Sequence, residues 1–166
     1  MALTTTVAGA TSDSYVSVAD ADTILDFKIQ MGATDWDAAA AAKTEACLKE
    51  ATKRIDRLPL AGSKSATTQA LQFPRSDHTD ADGNLEIRER IERACALLAL
   101  ALYEDPEQFD GTAADSVSVP GSFNVSGLSG DPSSLPADVL EELRPFLFNA
   151  SPGPGKSWSS AGRGWI

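Results

Sequence analysis

The sequence predicts a mainly α protein: a small bundle of about four helices, with a β-hairpin-like extension and an extended C-terminal tail. Three observations predict it. Apolar residues recur at helical spacing within residues 18–29, 48–58 and 87–102. A valine-containing stretch alternates apolar and polar residues around Pro120-Gly121, and the closing NASPGPGKSWSSAGRGWI is of a different composition from everything before it. With 166 residues the chain fits one domain, or one domain with an extension, and can bury a core. The expected organisation is an N-terminal arm over 1–14, a helical-bundle core over 15–105, a hairpin-like extension with a closing helix over 106–148, and a docking tail over 149–166.

The first fourteen residues are small, polar and rich in Thr and Ser, which suits an arm. In SYVSVADAD, Ser17 can cap a helix, with Asp20 three positions on and Asp22 also favourable near the positive helix end. Val18, Ala21, Leu25 and Ile29 give that helix its apolar side, and Gly32 stops it. Thr34 offers a fresh N-cap, with Asp35 and Asp37 flanking Trp36. A long second helix is expected from about Trp36 to Arg57, helped by the alanine run Ala38 to Ala42. Its stripe is Leu48, Ala51, Ile55 and Leu58, and Pro59 ends it.

A polar loop then leads into QALQFPR, where Pro74 opposes a helix and Leu71, Phe73 and Pro74 are expected to pin the loop to the bundle. The third helix carries Ile87, Ile91, Ala94, Leu98 and Leu102, widened by Cys95 and Ala101. It is apolar nearly all round from Ala94 to Leu102, the pattern of a central helix, and its other side carries Arg88 to Arg90, Glu92 and Arg93. Val117 and Val119, then Phe123 and Val125, suggest a β-hairpin within 115–127. A fourth helix is expected from about Pro136 to Arg144, burying Val139, Leu140 and Leu143 until Pro145 kinks or ends it.

The charge narrows the function. A net charge of −10 repels phosphates, which disfavours a basic nucleic-acid face. Cys47 and Cys95 read as small apolar residues in a reducing compartment. The opening MALTTTVAGATSDSY has neither the basic start nor the apolar core of a signal peptide, and no apolar stretch approaches a membrane span. A soluble protein made in the cytoplasm is expected.

One stretch, HTDADG, resembles the start of a calcium loop. With Gly83 at loop position 6, Asp80, Asp82, Leu85 and Glu89 fall at suitable positions. The opening position is His78, however, a poor ligand for a hard cation, and an Asp-rich turn closed by glycine has a plain backbone explanation. No metal or cofactor is expected. There is also no full phosphate loop, since GPGKS lacks the first glycine, and no nucleophile elbow or HExxH. An enzyme is not expected.

Several short landmarks then line up: SYVSVADAD at 14–22, Trp36, EATKRID at 50–56, QALQFPR at 69–75 and DADG at 80–83 before the long apolar helix. In order and spacing the set resembles the tailed-bacteriophage head–tail connector (adaptor, or head-completion) family, whose members often carry a DnaT-like single-stranded-DNA-binding label. The likeness covers residues 13 to 104, and LPADVLEELRPFL resembles the family's closing helix.

The resemblance implies a structural virion protein of the neck, made in the host cytoplasm. Its copies assemble as a ring, commonly of twelve, beneath the portal protein. The ring extends the channel through which packaged double-stranded DNA passes without specific binding, and it gives the stopper or tail-completion protein a docking surface. No membrane is involved. The alternative is a DnaT-like single-stranded-DNA-binding protein. For the connector, the expected partner contacts are Lys156, Trp158, Arg163, Trp165 and Ile166 in the tail, with Val119 and Phe123 in the hairpin; for DNA binding, aromatics and positive charge coincide only in the tail. The tail joins two basic residues to two tryptophans and has no acidic side chain.

Overall fold

The structure, a computed structural model, describes residues 3–76, 78, 82, 84, 87–106 and 135–148. Those residues form four α-helices and no β-strand, as the apolar periodicity predicts: α1 (Val18–Gln30), α2 (Ala41–Asp56), α3 (Glu89–Glu104) and α4 (Ala137–Leu143). The hairpin expected in 115–127, including Val119 and Phe123, lies outside the described residues. So does the tail with Lys156, Trp158, Arg163, Trp165 and Ile166.

The α1 start is the one its sequence announces. Ser17 is the N-cap, its hydroxyl accepting the Asp20 N–H at 3.2 Å and donating to the Asp20 carboxylate at 2.6 Å. Ala21 and Leu25 are buried. The helix ends at Gln30, and Gly32 takes a φ of +65°, a left-handed conformation that glycine adopts without steric cost.

The long second helix expected from Trp36 is broken. Trp36–Ala38 form a single 3₁₀ turn, Ala39 and Ala40 are extended, and α2 begins only at Ala41. The N-cap of that turn is Asp35, not Thr34 as expected, and no side chain caps it; the Thr34 hydroxyl, one residue earlier, accepts the Trp36 N–H at 3.2 Å. Tertiary packing decides this break. The buried Trp36 ring donates its indole N–H to Asp22 at 2.8 Å and meets the Tyr103 ring edge-on at 5.5 Å. The alanines have high helix propensity but no side chain large enough to compete with that anchor. Further along, Leu48, Ala51, Ile55 and Leu58 are buried as the stripe predicts.

The central helix is α3, which packs against α2 and α4 most extensively and also touches α1. Eight of its residues are buried, from Ile91 to Leu102. No side chain caps its start, so packing holds it: burying one Leu or Ile is worth about 1.5–3 kcal/mol. Glu89 and Glu92 add a favourable charge in its first turn. In α4, Val139 and Leu143 are fully buried and Leu140 partly so. Pro136 is its N-cap, and Arg144–Phe146 tighten into a 3₁₀ turn around Pro145.

Two connections complete the bundle. Residues 3–16, polar at first sight, fold back on it. Leu3 packs against the core, Ser12, Ser14, Tyr15 and Val16 are buried, and the Asp13 carboxylate takes the Thr4 N–H and the Lys49 ammonium. After α2 the chain pairs with the end of α4: Phe148 N–H donates to the Pro59 carbonyl at 2.7 Å and Ala61 N–H to the Phe146 carbonyl at 2.8 Å.

Candidate functional site

Three of the sequence landmarks meet at one buried polar junction. The Tyr15 hydroxyl, from the first landmark, donates to the carboxylate of Asp56, the last residue of α2. The same hydroxyl accepts the backbone N–H groups of Gln72 and Phe73, each at 3.2 Å, and the Gln72 N–H also reaches Asp56 at 3.2 Å. The entrance to α1, the exit of α2 and the QALQFPR loop are thereby locked together. One turn back along α2, Thr52 accepts the Tyr15 N–H at 3.3 Å and lies 3.4 Å from the Cys95 sulfur of α3.

The loop is then clamped from within. Arg75 is buried, and its guanidinium donates to the carbonyls of Leu60, Ala61 and Gly62 at 2.8, 2.8 and 3.0 Å. Gln69, also buried, donates to the carbonyls of Leu71 and Pro74 and accepts the Ala66 N–H. Phe73 and Pro74 are fully buried behind a cis peptide bond and Leu71 is half-buried, so these three residues pin the loop as expected. His78, the opening position of the calcium-loop alignment, is only 5% exposed. Its ring stacks on Phe73 at 5.3 Å and meets the edge of Phe146 at 5.3 Å, directed into the bundle. Asp80 and Gly83 lie outside the described residues. Among the described residues no group of three or more His, Cys, Asp or Glu side chains is arranged to hold a metal ion.

The junction's electrostatics suit bracing. Burial pushes the Tyr15 phenol well above its usual range, and the neighbouring Asp56 charge adds to the effect. Burial also raises the Asp56 carboxyl, against the pull of the Tyr15 hydroxyl and the Gln72 N–H. The Cys95 thiol, fully enclosed, is pushed up to about 12. Such a thiol stays protonated at neutral pH and packs as a small apolar group.

Outside, the positive charge is largely committed. Lys28 faces Asp138 at 3.8 Å, Lys49 holds Asp13 at 2.7 Å, and Arg54 holds Glu50 at 3.1 Å. Arg90 and Arg93 of α3 converge on Glu142 of α4, at 2.8 and 3.4 Å, and Arg93 also pairs with Glu89. Lys43 sits over the Tyr103 ring at 3.9 Å. Large apolar side chains stand in solvent at three places among the described residues: Val7 near the start, Phe27 of α1 with Met31 at its C-cap, 74% and 67% exposed, and Phe148, 63% exposed, where the described chain ends. Phe27 and Met31 fall outside the apolar side read for α1 from Val18, Ala21, Leu25 and Ile29, and spacing alone does not mark an exposed apolar pair.

Fold and junction define an acidic helical bundle braced by a buried Tyr–Asp pair. The chain belongs to the family described as "Putative DnaT-like ssDNA binding protein", whose model matches residues 1–151. No curated protein and no solved structure matches it.

Proposed function

We propose that the chain is a non-catalytic structural protein of a phage virion, a head–tail connector whose copies ring the DNA channel beneath the portal. The observation that supports this best is electrostatic. The body is strongly acidic, and most of its described cations are held in ion pairs, on backbone carbonyls or against a ring. A channel wall of that kind repels the phosphates of passing DNA and removes the counterion-release contribution to binding. The landmark residues that carry the resemblance to connectors are also the ones that build the junction, so they have a structural reason to be present. Portal and stopper contacts are assigned to the tail around Trp158, Arg163 and Trp165 and to the segment with Val119 and Phe123. Deleting residues 150–166 is expected to abolish co-purification with the portal, and intact attachment would overturn the tail's role.

A second reading has its own support. The family description names single-stranded-DNA binding, which speaks for that activity more directly than for a connector. Such binding needs a cationic groove with exposed aromatic faces for base stacking, and in this chain those features coincide in the tail. A mobility-shift assay at low salt with a single-stranded oligonucleotide, run beside a sizing measurement, separates the two. Tight binding by a small oligomer would overturn the connector reading, and no shift would overturn the DNA-binding one.

A further inference from the structure

We infer that opposite ends of the bundle bind one another between copies of this chain. The exposed Phe148 with Arg57 and Arg144 forms one half of the contact, and the exposed Phe27 and Met31 with Asp35 and Asp37 forms the other.

The first half is assembled where the chain leaves α2 and α4. Phe148 is bonded to the Pro59 carbonyl, two residues beyond Arg57, and the Leu147 N–H donates to the Arg144 carbonyl at 3.4 Å. Both arginines are exposed, and neither forms an ion pair among the described residues. The Asp56 carboxylate beside them is turned inward to Tyr15, and Glu142 is taken by Arg90 and Arg93. Glu141, exposed one helical turn before Arg144, offsets part of the positive charge.

The second half lies at the other end of α2. Phe27 and Met31 are one turn apart on one face of α1. The Met31–Asp35 connection runs from there to the Trp36 turn, where Asp35 and Asp37 are exposed and form no ion pair among the described residues. The cations nearby, Lys28 and Lys43, are already engaged by Asp138 and the Tyr103 ring.

The two halves match in kind: apolar with positive charge against apolar with negative charge. They sit beyond opposite ends of the sixteen-residue α2, about 24 Å of helix, so one copy does not satisfy both from within. A patch pair of this sort is heterologous, and repetition gives a closed ring or an open filament according to the rotation at each step. Charge complementarity makes a second copy the occupant. The inference shares with the connector reading only the association of copies and does not require the portal.

The test uses full-length chain in a Cys47→Ser background, which leaves only the fully buried Cys95 beside the introduced thiol. Met31→Cys and Phe148→Cys variants are made separately, mixed and oxidised. A disulfide-linked dimer several-fold more abundant in the mixture than in either variant alone is expected. Arg57→Glu with Arg144→Glu in the Phe148→Cys variant is expected to abolish that excess, and Asp35→Lys with Asp37→Lys in its mate to restore it. Equal yields in mixed and single samples, no response to charge reversal, or a chain that sediments as a monomer at every concentration would each overturn the contact. A tail-deleted chain that loses portal binding but keeps the mixed dimer would leave this inference standing apart from the portal assignment.

Discussion

The Tyr15 hydroxyl and the Asp56 carboxylate, 41 positions apart in sequence, form the hydrogen bond that closes the bundle's entrance onto its second helix. Each also receives the Gln72 N–H, and Tyr15 receives the Phe73 N–H, so two backbone donors of a loop depend on this one pair. Buried donors without partners are costly, and removing one member of such a set exposes the rest to that cost.

Tyr15→Phe keeps the ring and its edge contact with Phe73 but deletes the hydroxyl. The expected loss is about 1–3 kcal/mol in urea denaturation, with an unchanged dependence on denaturant concentration. Asp56→Asn alone and combined with Tyr15→Phe completes a double-mutant cycle. A coupling near zero would mean that the pair is not the source of the loss.

Arg75→Lys tests the clamp. A lysine has one ammonium and no fork, so it cannot reach the three carbonyls of Leu60, Ala61 and Gly62 from one position. Arg75 itself is buried, so the lost bonds and an incompletely partnered ammonium give an expected loss of about 2–4 kcal/mol, close to that of Arg75→Ala. A lysine variant as stable as the parent would show that charge alone suffices there.

These residues also mark the limit of what the sequence makes legible. Periodicity and capping are local, so α3 and the Ser17–Asp20 start of α1 could be read directly. The Tyr15–Asp56 junction and the Asp22–Trp36 bond join residues far apart in sequence, and no spacing rule points to either. QALQFPR stood out as a landmark, but the inward turn of Arg75 is visible only once the carbonyls of residues 60–62 lie around it. The start of α2 is hidden from the sequence for the same reason: propensity favours the alanine run, and the Trp36 anchor overrides it. Each expected partner contact falls outside the described residues, so the tail and hairpin rest on composition and alternation alone.

The two thiols are expected to react at very different rates. Cys95 is fully buried with its thiol pushed up to about 12, while Cys47 is half-buried, its thiol raised by burial and partly offset by Lys43. With a thiol reagent at neutral pH, one group should react in the native protein and the second only on unfolding. Cys47→Ser should leave no fast phase. A fast phase that survives this change would place Cys95 in contact with solvent.

Glu142 makes stability depend on pH in a defined direction. Burial alone raises its carboxyl, but the hydrogen bonds and positive charges of Arg90 and Arg93 together bring it below the ordinary value of 4.5. The folded chain therefore holds that proton less tightly than the unfolded chain does. Its contribution is complete above the unfolded value and disappears as pH falls through the lower folded one. The pair is partly exposed, with Arg90 and Arg93 near half their full accessibility, so screening keeps the contribution to about 1 kcal/mol or less. Glu142→Gln should be less stable than the parent at pH 7, with the gap closing as pH drops below 4.5. Raised salt should narrow the gap at pH 7 as well. A difference that persists undiminished at low pH would mean that glutamine disturbs the packing of α4 on α3, and that the ion pairs with Arg90 and Arg93 add nothing to the fold.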